Sequence, residues 1–188
     1  MGKSEYQKLV EEKKAAKKDL FKKSFAGNDI KTPLMIIFAS DKENNDQKML
    51  QLLEGLFVLP MKIIVVTNNE PPDLKDHPSG HITFVNNKDG REQPLIDEYT
   101  LAADMAIDCD SEHSRLLQVM EKGTVVIGFS DSPFLENYHP NDETGNSFTF
   151  DSYNPWDIFR AVVRATETYR FPYDWGNIIR AIIKGSQG

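Results

Sequence analysis

Short apolar runs alternate with longer amphipathic segments through the middle of this chain. Runs rich in β-branched residues predict buried strands, and these lie at residues 34–39, 62–67, 82–85, 104–108 and 124–127. Between several of them, apolar residues recur with a helical period, which predicts helices ending near Phe57, Ala102 and Lys122. Strands that alternate with helices are typical of a parallel sheet covered on both faces. We therefore expect an α/β fold, a three-layer, doubly wound parallel sheet of Rossmann type.

A charged helix is predicted before the first strand. Residues 4–24 carry a narrow apolar stripe at helical spacing on an otherwise lysine-rich segment. We therefore assign residues 1–27 to an N-terminal charged helix and residues 28–188 to the Rossmann-like domain.

Two more helices are predicted at the C-terminal end. Asn154 followed by Pro155 is typical of a helix start, and Pro172 opens the second helix. Trp156 and Trp175 lie on the apolar stripes of these helices, so we expect both in the core.

Charge is unevenly distributed along the chain. The whole chain has 22 basic and 29 acidic residues, but residues 1–23 alone hold eight lysines and four acidic residues. The remaining residues carry a net charge of −11, which argues against a nucleic-acid binder. We expect the basic stretch to form a solvated helix face. Alternatively, it contacts RNA, an anionic lipid surface or the acidic domain itself. The stretch comprises Lys13, Lys14, Lys17 and Lys18.

Composition excludes several other classes of protein. The chain is 39% hydrophobic, which is enough for a core, and it has no apolar stretch long enough to span a membrane. A single cysteine, Cys109, cannot form an intramolecular disulfide, so we expect a cytoplasmic protein. The four histidines have no ligand-like spacing relative to Cys109, and we predict no metal site at these residues.

The carboxyl ends of the predicted strands are where ligands bind in open α/β sheets. None of them carries a Gly-x-Gly-x-x-Gly, a Walker loop or a Gly-x-Ser-x-Gly turn. This argues against a dehydrogenase, a P-loop NTPase and a triad hydrolase, and we expect no bound cofactor. Asp108, Asp110 and Glu112 crowd one strand end, where they form either a cation-binding or signalling site or simply an acidic loop. A receiver-type signalling domain is a poor match, because it needs its acids directly after the first strand.

A longer pattern occupies the C-terminal third. Gly145, Phe148, Phe150 and Tyr153 are spaced as Gly-x-x-Phe-x-Phe-x-x-Tyr, and a helix with Arg164-Ala165 near its end follows. This pattern resembles the end of bacterial glycogen synthases and plant starch synthases, which are GT-B glycosyltransferases of the family 5 type. The resemblance continues more diffusely upstream, at residues 46–48, 103–104 and 122–127.

The resemblance implies the C-terminal, nucleotide-sugar-binding domain of such an enzyme, which uses ADP-glucose or UDP-glucose with retention. Lys48 matches the family's lysine that contacts the donor phosphates, a suitable role for a cation at a strand end. The other expected donor contacts are Thr67, Asn68, Asp110, Ser111 and Glu112.

The same alignment shows departures from the family at the donor site. Asp41 replaces an arginine, His113 replaces a glycine whose backbone approaches the phosphate in the family, and residues 130–133 lack both glycines of the family's Thr-Gly-Gly-Leu loop. A positive charge thus becomes negative, and open backbone N–H groups are covered by side chains. We therefore assign no catalytic residue and expect no glycosyl transfer by this chain alone, because a GT-B active site lies between two domains. The expected partners are a nucleotide sugar and the N-terminal GT-B domain; the alternative is a non-catalytic interaction or regulatory module that binds another protein.

Overall fold

A computed structural model describes residues 4–25, 29–39, 46–68, 80–88, 90, 92–109 and 113–185. Within these residues, six parallel strands form one sheet in the order β3-β2-β1-β4-β5-β6. The strands are β1 Leu34–Phe38, β2 Lys62–Thr67, β3 Ile82–Asn86, β4 Met105–Asp108, β5 Val125–Phe129 and β6 Ser147–Phe150. This order is that of the Rossmann fold, which confirms the predicted fold class.

Six helices are present in the described residues: α1 Glu5–Ser24, α2 Asp46–Leu56, α3 Gln93–Ala102, α4 His113–Glu121, α5 Pro155–Tyr169 and α6 Pro172–Gly185. The crossover from β1 to β2 runs in the opposite direction along the sheet from the crossovers that contain α3 and α4. Right-handed connections therefore place α2 on one face of the sheet and α3 and α4 on the other. Helix α5 packs against α2, and α1 packs along α3. No helix among the described residues is long and apolar enough to cross a membrane.

The sheet core explains why the central elements are predictable. All five residues of β1 are buried, as is every residue of β2 after Lys62, which matches continuous apolar runs in the sequence. Strand β6 is an addition, because the sequence pattern does not predict a strand there. It pairs with β5 from Ser147 to Phe150 and buries Phe148 and Phe150.

The C-terminal helices begin where the sequence predicts. Asn154 accepts a hydrogen bond from the backbone N–H of Asp157 at the start of α5, and Pro155 is its first residue. The prediction that both tryptophans are core residues is correct for Trp175 and wrong for Trp156, whose indole is exposed. Trp156 lies two residues before the buried Ile158, about half a helical turn away, so it is on a different side of α5 from the buried residues.

Helix α1 is held to the domain by buried lysines. Lys13 donates hydrogen bonds to three backbone carbonyls and to Thr124 Oγ1, and Lys17 forms an ion pair with Asp104. The prediction of a solvated basic face is therefore wrong for these two lysines and right for Lys14 and Lys18, which are exposed. One side of the helix carries Leu20 and Phe21 into the main core. The predicted boundary between residues 27 and 28 lies outside the described residues.

Candidate functional site

The candidate site lies at the carboxyl edge of the sheet, where the strand order reverses. Strands β1 and β4 are neighbours, but the chain leaves them toward opposite faces of the sheet. Ligands of open α/β sheets bind in the crevice that this reversal creates. A cavity of about 260 Å³ occupies this edge between α3 and α4.

The cavity has a short apolar floor and polar walls. Its floor is formed by the last residues of β1 and β2, including Phe38 and Val66. The side chains with hydrogen-bonding groups along its walls are Thr67, Asn68, Asn87, Gln93, Asp97, Thr100, Ser114, Arg115, Gln118 and Lys122. Amide side chains both donate and accept hydrogen bonds, so the walls suit a polar ligand more than a hydrocarbon.

Arg115 is a cation of the cavity wall, in the first turn of α4. Its Nη1 lies 3.1 Å from Oδ1 of Asp108, a carboxylate that is 1% exposed at the end of β4. The guanidinium also lies 5.2 Å from the centre of the Phe38 ring, within cation–π range. Both contacts hold Arg115 in one place, and the carboxylate neutralises much of its charge. Asp108, one of the three acidic residues considered above for cation binding, thus positions an arginine.

A second ion pair lies on the α3 side of the cavity. Lys122 Nζ donates to Asp97 Oδ1 at 2.8 Å. This hydrogen bond is the largest cause of a lowered pKa for the Asp97 carboxyl, so that carboxyl stays ionised. Both cations among the described residues of the cavity wall, Arg115 and Lys122, are thus paired with a carboxylate.

The predicted donor residues fall into three groups. Thr67 and Asn68 both line the cavity, so the structure brings together the two residues expected near the nucleotide. Lys48 is exposed in the first turn of α2 and does not line the cavity. The positions of the remaining three, Asp110, Ser111 and Glu112, lie outside the described residues, as does Asp41.

Several residues of the cavity wall are not predicted by the sequence. Asn87 follows β3 directly, and the strand ends are where such residues can be sought, but β3 has a weak apolar signal. Gln93, Asp97, Gln118 and Lys122 lie along α3 and α4. Helical residues reach the cavity only because two helices flank it, and no local sequence pattern reports the distance between two helices.

Residues 130–133, where the resemblance predicts a Thr-Gly-Gly-Leu loop, lie directly after β5. Ser132 is 7% exposed, and its Oγ has no hydrogen-bond partner among the described residues. A buried unpaired hydroxyl is uncommon in folded proteins. No group of three or more metal-ligating side chains is present in the described part of the chain.

Comparisons with known proteins agree with this architecture. No family model matches the chain. Glycogen synthase 1 from Synechocystis sp. (strain ATCC 27184 / PCC 6803 / Kazusa) is 50% identical over 38 residues, which are 20% of this chain and 8% of that enzyme. The catalytic domain of starch synthase IV from Arabidopsis thaliana, solved with ADP and acarbose bound, matches with a TM-score of 0.59 and 16% identity over 95% of this chain.

The fold defines an α/β domain of the doubly wound class with a polar cavity at its switch point. Within that class, the chain has the fold of a glycogen/starch synthase-like GT-B glycosyltransferase domain, as the resemblance in its C-terminal third predicts. The chain covers 39% of the Arabidopsis catalytic domain, so it corresponds in extent to part of such an enzyme.

Proposed function

We propose that this chain is the nucleotide-sugar-binding half of a glycogen- or starch-synthase-like glycosyltransferase. The observation that carries the proposal is the polar cavity at the switch point, which contains Thr67 and Asn68 and lies where α/β domains bind nucleotides. The ADP bound to the Arabidopsis starch synthase supports a nucleoside diphosphate as the ligand class. The sugar nucleotide is ADP-glucose or UDP-glucose.

In this proposal, the nucleoside occupies the cavity and the phosphates extend toward α2. The amides of Asn68 and Gln118 offer paired donors and acceptors to a base or a ribose. Lys48, exposed at the start of α2, contacts the diphosphate as a cation. Asp110, Ser111 and Glu112 contact the sugar or ribose hydroxyls. The unpaired hydroxyl of Ser132 supports a ligand at the adjacent loop, because a bound polar group would satisfy it.

Glycosyl transfer requires more than this domain provides. In the family that the sequence resembles, the active site closes between two domains, and the acceptor lies largely on the other one. We therefore propose that the chain binds the donor weakly and does not catalyse transfer by itself. An N-terminal GT-B domain is the partner that would complete the site.

The second candidate function is a non-catalytic interaction or regulatory module on the same scaffold. Pairing of the cavity's cations favours it, because Arg115 is held by Asp108 and Lys122 by Asp97. An anionic nucleotide bound at the cavity gains less attraction from cations whose charge carboxylates already balance.

A titration with ADP, UDP and their glucose conjugates, followed by NMR at moderate salt, separates the two functions. Under the donor-binding proposal, ADP or UDP causes saturable shifts at Thr67, Asn68 and Gln118. Asn68→Asp adds a negative charge on the cavity wall and should weaken the affinity about threefold to tenfold, since like charges in a partly desolvated site repel. Asn141→Asp adds the same charge on an exposed loop and should leave it unchanged. No shift at millimolar nucleotide would refute donor binding and favour the interaction module.

A further inference from the structure

The first turn of α5 presents a tryptophan to solvent. Trp156 is 78% exposed, whereas Trp175, for which the sequence pattern predicts the same core position, is 7% exposed. An isolated apolar residue on a surface needs no explanation. The question is therefore whether other groups surround this indole in a way that suits a ligand.

Trp156 forms one wall of a cavity of about 320 Å³ between α5 and α2. The Phe159 ring lies 6.4 Å from the indole at an angle of 87°, so two aromatic surfaces meet at a corner. Gly55 lies opposite Phe159, and a Cβ atom there would be 3.4 Å from the ring, in ordinary van der Waals contact, and would occupy part of this space. The missing side chain at Gly55 therefore keeps the base of the cavity open.

The α2 side of this cavity is polar. Gln51 and Glu54 both line it, are exposed, and lie three residues apart, so they project from the same face of the helix. The carboxylate of Glu54 accepts hydrogen bonds, and the amide of Gln51 both donates and accepts them. The cavity thus combines flat aromatic carbon surface with hydrogen-bonding groups at its edge.

A pyranose ring matches this combination. It has one face of C–H groups, which packs on an aromatic plane, and a rim of hydroxyls, which bind carboxylates and amides. We propose that the cavity formed by Gln51, Glu54, Gly55, Trp156 and Phe159, the Trp156 site, binds glucosyl units of a glucan chain. That the saccharide is a glucan rests on the proposed function; that a saccharide fits rests on the lining side chains.

The Trp156 site is separate from the donor cavity. It lies between α2 and α5, whereas the donor cavity lies between α3 and α4 on the other face of the sheet. A glucan bound at the Trp156 site would therefore lie outside the donor cavity, beside the face of α2 toward which the proposed diphosphate extends. Its role is to keep a polymeric substrate attached to the protein, which raises the local concentration of glucan chain ends.

A protein partner is the other class of ligand that uses exposed tryptophans. The Trp156 cavity favours a saccharide because its volume is at the small-ligand end of the usual range and its rim carries an amide and a carboxylate. A protein contact would instead be expected to centre on a larger apolar patch around the indole.

Maltoheptaose titration and native electrophoresis through gels containing glycogen test the proposal on the whole chain. The chain has two tryptophans and one is buried, so a blue shift of the fluorescence on adding maltoheptaose reports on Trp156. Glycogen should retard the protein, and Trp156→Ala should weaken the binding at least about tenfold. Trp156→Phe should retain most of it, because a flat ring remains. Phe171→Ala, which removes another exposed aromatic side chain, is the matched control and should behave as the unsubstituted chain.

Two results would overturn the proposal: no effect of glucan up to tens of millimolar glucosyl units, or equal retardation of the unsubstituted chain and Trp156→Ala. Self-association that Trp156→Ala abolishes, without glucan binding, would overturn it in favour of a protein contact. The result is distinguishable from the donor-binding test, because glucan binding is measured without nucleotide. ADP binding without glucan binding would refute the Trp156 site alone, and the converse would refute donor binding alone.

Discussion

Lys13 gives the clearest quantitative prediction for this fold. Its Nζ lies 3.1 Å from Leu101 O, 2.7 Å from Ala103 O, 3.2 Å from Lys122 O and 2.8 Å from Thr124 Oγ1. The amine is fully enclosed, and burial lowers its pKa from 10.5 to about 7. We predict that this amine makes the stability of the protein depend on pH between about 7 and 10.5.

The sign follows from proton uptake on unfolding. Between these two pKa values the unfolded chain keeps Lys13 protonated while the folded chain has lost the proton, so unfolding takes up a proton. The free energy of unfolding therefore rises with pH through this range. A proton taken up on unfolding changes the free energy of unfolding by about 1.4 kcal/mol for each pH unit. Between about pH 7.5 and 9.5, Lys13 alone should therefore raise the free energy of unfolding by about 2 to 3 kcal/mol.

Urea unfolding across this pH range measures the effect, with Lys13→Met as the reference. Methionine fills similar space but does not titrate. The free energy of unfolding of the unsubstituted chain minus that of Lys13→Met therefore gives the pH-dependent contribution of the Lys13 amine. Lys14→Met removes a neighbouring exposed lysine and is the control; it should follow the unsubstituted chain. Parallel curves for the unsubstituted chain and Lys13→Met would refute the reasoning and show that the amine keeps its proton in the folded state.

Two further predictions concern backbone and helix ends. Gly145 has φ of 101°, and an added Cβ would lie 2.5 Å from Asn137 O, so Gly145→Ala should lower the free energy of unfolding by about 3 kcal/mol. Gly90→Ala, at φ of 67° with open space around it, should cost only about 1 kcal/mol, and equal losses in urea unfolding would contradict the steric argument. Asn154→Ala removes the side-chain cap of α5 and should cost about 1 kcal/mol by thermal unfolding, whereas Asn141→Ala on an exposed loop should cost nothing measurable.

The sequence predicts the elements whose burial is continuous. Strand β2 is found at the predicted residues, 62–67, because a run of buried β-branched residues has no other stable position in an α/β fold. Strand β6 is not predicted, although Ser147 and Thr149 alternate with phenylalanines as in a half-buried strand, because it is only four residues long and follows a segment rich in loop formers. Its place at the sheet edge depends on pairing with β5, which is a tertiary contact.

The buried lysines of α1 are the clearest case in which the pattern misleads. A lysine usually marks a solvated position, so Lys13 is interpreted as an interruption of the apolar stripe of α1, although its helical spacing places it on that stripe and Lys14 off it. What buries Lys13 is the set of carbonyls at the ends of α3 and α4, which are distant in the chain. The same limit applies at the site: Thr67 and Asn68 follow a recognisable strand, whereas Gln118 reaches the cavity through the packing of two helices.

The polar contacts of α1 also bear on the donor cavity. Lys13 does not line the donor cavity. Its amine nevertheless donates to the carbonyls of Leu101 and Lys122, which lie at the C-terminal ends of the two helices that flank the cavity. The side chain of Lys122 pairs with Asp97 across the same two helices and lines the cavity. The separation of α3 and α4 is therefore fixed at one end by a buried amine and along the wall by an ion pair. The width of the donor cavity is consequently set in part by α1, a helix that by charge alone would be assigned to solvent.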